Sequence, residues 1–138
     1  MKIHILNNIE DCIDGYTPVL LENGKINIDC PDNSISSILM IDSIEQIPYE
    51  EIDTILLQVR KLIRINGTLV IGGIDINCIS RDLINRSINT KIYNEIIFNK
   101  KSIHDSKELS DKLSSLGFKI DKITLKGALY ELHASRPN

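Results

Sequence analysis

PDNSISSILMIDSIEQIP (31–48), the helical pattern of 49–65 and INGTLVIGG (65–73) together decide how this chain folds. SSILMID (36–42) is a continuous apolar run, too short for a helix and bounded by polar residues, so it reads as a central strand covered on both faces. From Tyr49 to Ile65, the residues Ile52, Leu56, Val59 and Ile63 recur at three- and four-residue spacing and make one face of a helix. Pro48 sits at its first turn, where a missing N–H costs nothing. Glu50, Glu51 and Asp53 crowd the positive end of its dipole, Arg60, Lys61 and Arg64 the negative end, and Asn66-Gly67 is the expected stop. GTLVIGG (67–73) follows at once as a second buried strand. Strand, helix and strand then form a parallel unit whose crossover is expected to be right-handed.

Upstream, Lys2 to Leu6 reads as a short buried strand, and Asn7-Asn8 turn the chain after it. TPVLL (17–21) is a second strand, and ENGK offers a tight turn into INID (26–29), so those two form either a hairpin or two parallel strands. Downstream, 74–104 holds ambiguous segments such as ISRDLINRSI and KIYNEIIF, with one helix expected. Asp105 or Ser106 caps a helix to Ser115, with Leu109, Leu113 and Leu116 on one face and Gly117 at its end. FKIDKITLK (118–126) and, after Gly127, ALYELHAS (128–135) alternate in period two and are joined too closely to pair other than antiparallel. No repeat or linker divides the chain. The expectation is one α/β domain over 1–138, a mostly parallel Rossmann-like sheet finished by a C-terminal antiparallel hairpin.

Composition narrows the ligand classes. Apolar residues are 42% and charged residues 25%, which is globular, while aromatics are only 4% with no Trp, so isoleucine fills the core. A net charge of −3 leaves no clustered basic face, and nucleic acid is not expected as a partner. Cys12, Cys30 and Cys78 form no CxxC or Cys/His set, which points to reduced, buried thiols rather than a disulfide framework or zinc site. No apolar run approaches the ~20 residues of a membrane span, and MKIHILNN lacks a signal-peptide core, so no membrane partner and a cytoplasmic location are expected. His4, His104 and His133 are widely separated and suggest neither a metal site nor a general base. No catalytic residue is assigned.

The succession 31–73 resembles the class I S-adenosylmethionine-dependent methyltransferases, whose type 11-like members carry the pattern "pdnsfD-strand-LEHip-helix-LkPGG-strand". Asp32-Asn33-Ser34 matches its start, Ile44-Glu45 with Ile47-Pro48 matches the LEHip element, and Arg64-Ile65-Asn66-Gly67 stands where LkPGG is expected. SLGF (115–118) and the terminal Ala134-Ser135-Arg136-Pro137 are similar to that family's closing "aGF…arkP". Compact members begin "kLHLGCGkn…pGyiNiD", which Lys2 to Ile5 and Gly15-Tyr16 fit. There are three departures: Leu6, Asn7 and Asn8 replace the glycine loop, Leu20 stands where an acidic residue would end the second strand, and Gln46 replaces the motif histidine.

The resemblance implies a cofactor site at Asn7, Asn8, Asp29, Asp42 and Ser43, with Asp29 either facing an adenine amino group or serving as a turn residue before Pro31. Asp42 and Ser43 lie at the carboxyl end of a central strand, where open α/β sheets place their ligands; ordinary loop and cap chemistry is the competing reading. Glu45 reads as the retained glutamate of the family element or, more simply, as a solvated residue near the helix start, and Gly72-Gly73 as a ligand approach or a tight turn. Glycines in the loop would let the backbone pass close to the ligand, and the acidic residue would accept from a ribose hydroxyl. Their replacement implies that S-adenosylmethionine binding is weak or lost and that the protein is an inactive binding or accessory subunit. An active methyltransferase on a small molecule or glycan and a ligand-free assembly module are the alternatives. Only ten residues separate Leu6 from Thr17, too few for a covering helix with its connections, so one sheet face is left for a homodimer or hetero-complex.

Overall fold

The computed structural model describes residues 1–7, 9–22 and 24–138. The apolar runs become β1 (Lys2–Leu6), β2 (Thr17–Glu22), β3 (Lys25–Ile26), β4 (Ile35–Ile41), β5 (Ile63–Ile74), β6 (Lys119–Lys126) and β7 (Leu129–Ser135) of one seven-stranded sheet. Its order is β3-β2-β1-β4-β5-β7-β6, parallel across β2, β1, β4 and β5 and antiparallel at both edges. This is the class I methyltransferase architecture, a parallel centre with the expected C-terminal hairpin. The β2 and β3 strands settle the open alternative as a hairpin, pairing Leu21 with Ile26, and β3 is shorter than the INID run suggested.

Alternation along the strands sends Ile3, Ile5, Ile38, Met40, Leu69, Ile71 and Leu132 to one face. There they form a single core with Ile52, Ile55, Leu56 and Val59 of α1 (Ile52–Leu62) and with Leu109 and Leu113 of α4 (Ser106–Ser115). Burial on this scale is the main stabilising term, at about 25 cal/mol per Å² of apolar surface.

The helix ends earlier than its apolar spacing implied. Ile63 is buried, but in β5 opposite Ile35 rather than on α1. Tertiary groups supply the stop: Asn33 N–H donates to Lys61 O at 2.9 Å and Ser34 N–H to Leu62 O at 3.1 Å, satisfying carbonyls that a further turn would have used. The Arg136 guanidinium donates to Ile63 O at 2.6 Å and to the Asn33 side chain. Gly67 then serves close backbone approach, because a Cβ there would meet Arg64 O at 2.8 Å and Ile35 O at 3.2 Å.

Residues 74–104 contain two helices where one was expected, α2 (Ile76–Ile84) and α3 (Thr90–Ile97), capped by the Asp75 and Asn89 side chains. Cys78 is buried, but Cys12 and Cys30 are only half-buried because they lie in connecting segments; all three are free. On the face opposite the core, the stretch between β1 and β2 holds one 3₁₀ turn (Ile9–Asp11) and lies over the sheet. Ile13 N–H donates to His4 Nδ1 at 3.2 Å, and Tyr16 OH lies 3.3 Å from Ser37 Oγ. Beyond it, Thr68, Val70 and His133 line an open groove of about 480 Å³. No helix among the described residues is long and apolar enough to cross a membrane.

Candidate functional site

A cleft of about 560 Å³ opens at the carboxyl ends of β1 and β4. Leu6, Asn7 and Ile13 form one wall, Ile41, Asp42 and Ser43 the other, with His4, Asp11 and Gln46 completing the lining. A second cleft of about 640 Å³ adjoins it, sharing Asn7 and Gln46 and reaching Leu21, Ile47 and Lys101. The structure therefore brings together Asn7, Asp42 and Ser43 of the expected site residues. Asn8 lies outside the described residues. Asp29 is exposed in the segment leading to β4 and is absent from the lining of either cleft.

Asp42 has a left-handed backbone (φ 62°), uncommon for a residue other than glycine, and its N–H is held by Gly72 O at 2.9 Å. Its carboxylate is exposed at the rim. Ser43, next in the chain, is 2% exposed, and His4 on β1 is 3% exposed. Burial lowers the His4 pKa, with Asp11 opposing only in part, so the ring is neutral at pH 7. Since Nδ1 accepts from Ile13, the ring proton sits on Nε2.

Three features were not legible from sequence. Glu45, expected in solvent, is fully buried: Lys100 Nζ lies 3.1 Å from Oε1, and Ile74 N–H donates to Oε2 at 3.2 Å. Burial raises its pKa, while Lys100 and the Ile74 amide pull it back. It also explains Gly73, where a Cβ would sit 3.1 Å from the Glu45 carboxyl carbon. Second, β2 runs on past Leu20 to end at Glu22, so an acidic residue does stand at that strand's carboxyl end. Its Oε2 accepts from Asn27 Nδ2 at 3.1 Å, and it lines a separate depression with Lys25 and Asn27. Third, Gln46, standing for the motif histidine, lines both clefts and donates to Asn99 O at 3.2 Å.

The other histidines are engaged locally. His104 Nε2 lies 2.7 Å from Ser102 Oγ, and His133 Nε2 lies 2.6 Å from Glu131 Oε1. Among the described residues no cluster of three metal-ligating side chains exists.

No family model matches the chain, and no curated protein does. Solved structures do. A SAM-dependent methyltransferase from Thermotoga maritima, a possible histamine N-methyltransferase, superposes with a TM-score of 0.59 at 17% identity over 88% of this chain and 64% of its own. A complex between the Haloferax volcanii Trm112 methyltransferase activator and a putative methyltransferase gives 0.62 at 8% identity, over 94% and 65% of the two chains. A putative type 11 methyltransferase from Sulfolobus solfataricus gives 0.57 at 18% identity, over 99% and 72%. The chain thus spans less than two thirds of the length of the first two. At these identities the likeness establishes the fold.

Proposed function

We propose that this chain, built on the class I methyltransferase fold, is a binding or accessory subunit whose S-adenosylmethionine site has degenerated. The observation that carries this reading is the wall after β1. Leu6 is buried and lines the cleft, and it is followed by Asn7 where a methyltransferase of this type needs glycines for the ligand to approach the backbone. The Glu22 carboxylate, the remaining candidate for a ribose, is engaged by Asn27 outside that cleft. An active enzyme is the competing reading, and Glu22 at the end of β2 is the observation in its favour.

Calorimetry decides between them. A ribose hydroxyl without its acceptor costs about 1.5–3 kcal/mol, one to two powers of ten in affinity, and overlap with Leu6 adds to that. Neither S-adenosylmethionine nor its demethylated product is expected to give binding heat at micromolar concentration, or to raise the melting temperature by ligand linkage. A clear micromolar dissociation constant would restore the active enzyme.

An accessory role requires a partner, and the open sheet face around Thr68, Val70 and His133 is the surface proposed for it, in a homodimer or a hetero-complex. The Haloferax volcanii methyltransferase complexed with an activator gives a precedent for the second form on this fold. Multi-angle light scattering on the purified chain, with pull-down from its host, checks this. A monomer at high concentration that retrieves nothing counts against it.

A further inference from the structure

Between Asp75 and Ser102 the chain leaves the sheet and returns to it, and its hydrogen bonds to the body are made at the two ends of this excursion. Among the described residues, every hydrogen bond made by residues 77–98 ends within 75–100. The helices α2 and α3 pack chiefly on one another. Cys78 and Ile79 are buried but lie outside the main core, and α3 buries no residue at all. Ile84 and Phe98, 79% and 80% exposed, are the most exposed large apolar side chains among the described residues. Few buried apolar contacts and locally closed hydrogen bonding mark a segment that opens on its own.

The base of the excursion is firmly held. Ile76 N–H donates to His104 O at 2.9 Å, Asp75 and His104 are both buried, and Ser102 Oγ–H donates to Ile47 O at 2.6 Å. Just inside that base, three consecutive residues grip two residues of the cleft wall. Asn99 O accepts from Gln46 Nε2 at 3.2 Å, Lys100 Nζ lies 3.1 Å from Glu45 Oε1, and Lys101 N–H donates to Glu45 O at 2.8 Å. Gln46 and Lys101 also line the second cleft, so the grip and the cleft share residues. Helices of nine and eight residues are too short to persist alone in water, where about 12–15 are needed even for a good sequence. Loss of the grip therefore melts them.

We propose that residues 76–101 form a flap that releases the cleft wall and melts as one unit while the sheet, α1 and α4 stay folded, opening the second cleft on the side of Lys101. The inference goes beyond the accessory-subunit reading and applies equally to an active enzyme.

Native-state hydrogen exchange on the full chain, in urea below the unfolding transition, tests this, with thiol labelling of Cys78 alongside. The amides of α2, α3 and Lys101 are expected to share one opening that depends only weakly on urea, since little surface is exposed. That opening should be populated roughly tenfold or more above the one that releases the β5 amides, whose urea dependence is steep. Cys78, buried on α2, should become reactive with the flap opening, peptide mapping separating it from Cys12 and Cys30. Lys100→Ala leaves Glu45 buried without its cation, so flap opening should rise roughly tenfold or more. Leu56→Ala weakens the core that the open-flap state retains, so it should accelerate β5 exchange and leave flap opening unchanged. Flap amides that follow β5 in one steep urea dependence, Cys78 labelled only on global unfolding, or flap amides unmoved by Lys100→Ala each overturn the proposal. The urea dependence of the parent protein decides even where a variant fails to fold.

Discussion

Asp75→Ala is expected to destabilise the fold by about 3–5 kcal/mol, because the change strips a buried, multiply hydrogen-bonded carboxylate from a junction of three elements. Asp75 is 3% exposed. Its Oδ1 accepts from Asn77 N–H at 2.9 Å and Cys78 N–H at 3.1 Å, capping α2. Its Oδ2 accepts from Ser106 N–H at 3.0 Å and Ser106 Oγ–H at 2.7 Å, fixing the start of α4. Its own N–H donates to Ala128 O at 2.8 Å, in the turn between β6 and β7. Alanine would leave the four donors without their acceptor. Urea melts of the two proteins measure the cost, and a loss under about 1 kcal/mol would mean that these donors find other partners.

Acid titration gives the same site a second signature. Burial pushes the Asp75 pKa up, but the bonds from Ser106, Cys78 and Asn77 outweigh it and hold the carboxyl below its ordinary value of 3.8. A depressed folded-state pKa contributes stability that is present above the unfolded value and lost as pH falls through the folded one. Glu45 acts in the opposite sense: its pKa is raised above 4.5, so protonation in the window just above that value favours the folded state. Asp75→Asn should therefore lack the wild-type loss below about pH 4 while keeping the gentler slope above it.

Legibility in the sequence followed the range of the interactions concerned. The strands β4 and β5 and the hairpin β6–β7 showed as apolar runs and period-two alternation, and α4 showed through its Asp105 cap and Gly117. Those signals are local. The end of α1 was misplaced because Asn66-Gly67 has the chemistry of a helix stop, whereas the actual stop comes from Asn33, Ser34 and Arg136, all distant in sequence. Two helices between 74 and 104 were hidden by short, ambiguous apolar patterns, although Asp75 and Asn89 are ordinary capping residues in hindsight.

The site divided the same way. The expected residues Asn7, Asp42 and Ser43 line one cleft because the carboxyl ends of neighbouring strands in an open sheet bring such positions together. The burial of Glu45 depends on Lys100, and the bond from Ile13 N–H to His4 Nδ1 depends on the fold of the segment after β1, neither of which a local pattern encodes. His4 carried one faint signal. Strand alternation places it on the same face as Leu6, away from the face that α1 covers, where a polar residue has access to a cleft.

Leu56→Ala is expected to cost about 2–5 kcal/mol, the range for removing most of a buried leucine from a close-packed core. Leu56 is 1% exposed and packs in the cluster with Ile52, Ile55 and Val59 against the sheet. The following residue supplies the control. Leu57 lies a hundred degrees around the helix and is 45% exposed, so Leu57→Ala makes the same chemical change with water already against the side chain. Helix propensity favours alanine slightly at both positions and cancels in the comparison. The difference between the two variants then isolates burial, and it should exceed about 1.5 kcal/mol in parallel denaturant melts with unchanged slopes. Equal and small losses would place α1 in a different register and detach the β4–α1–β5 unit from the core on which the cleft depends.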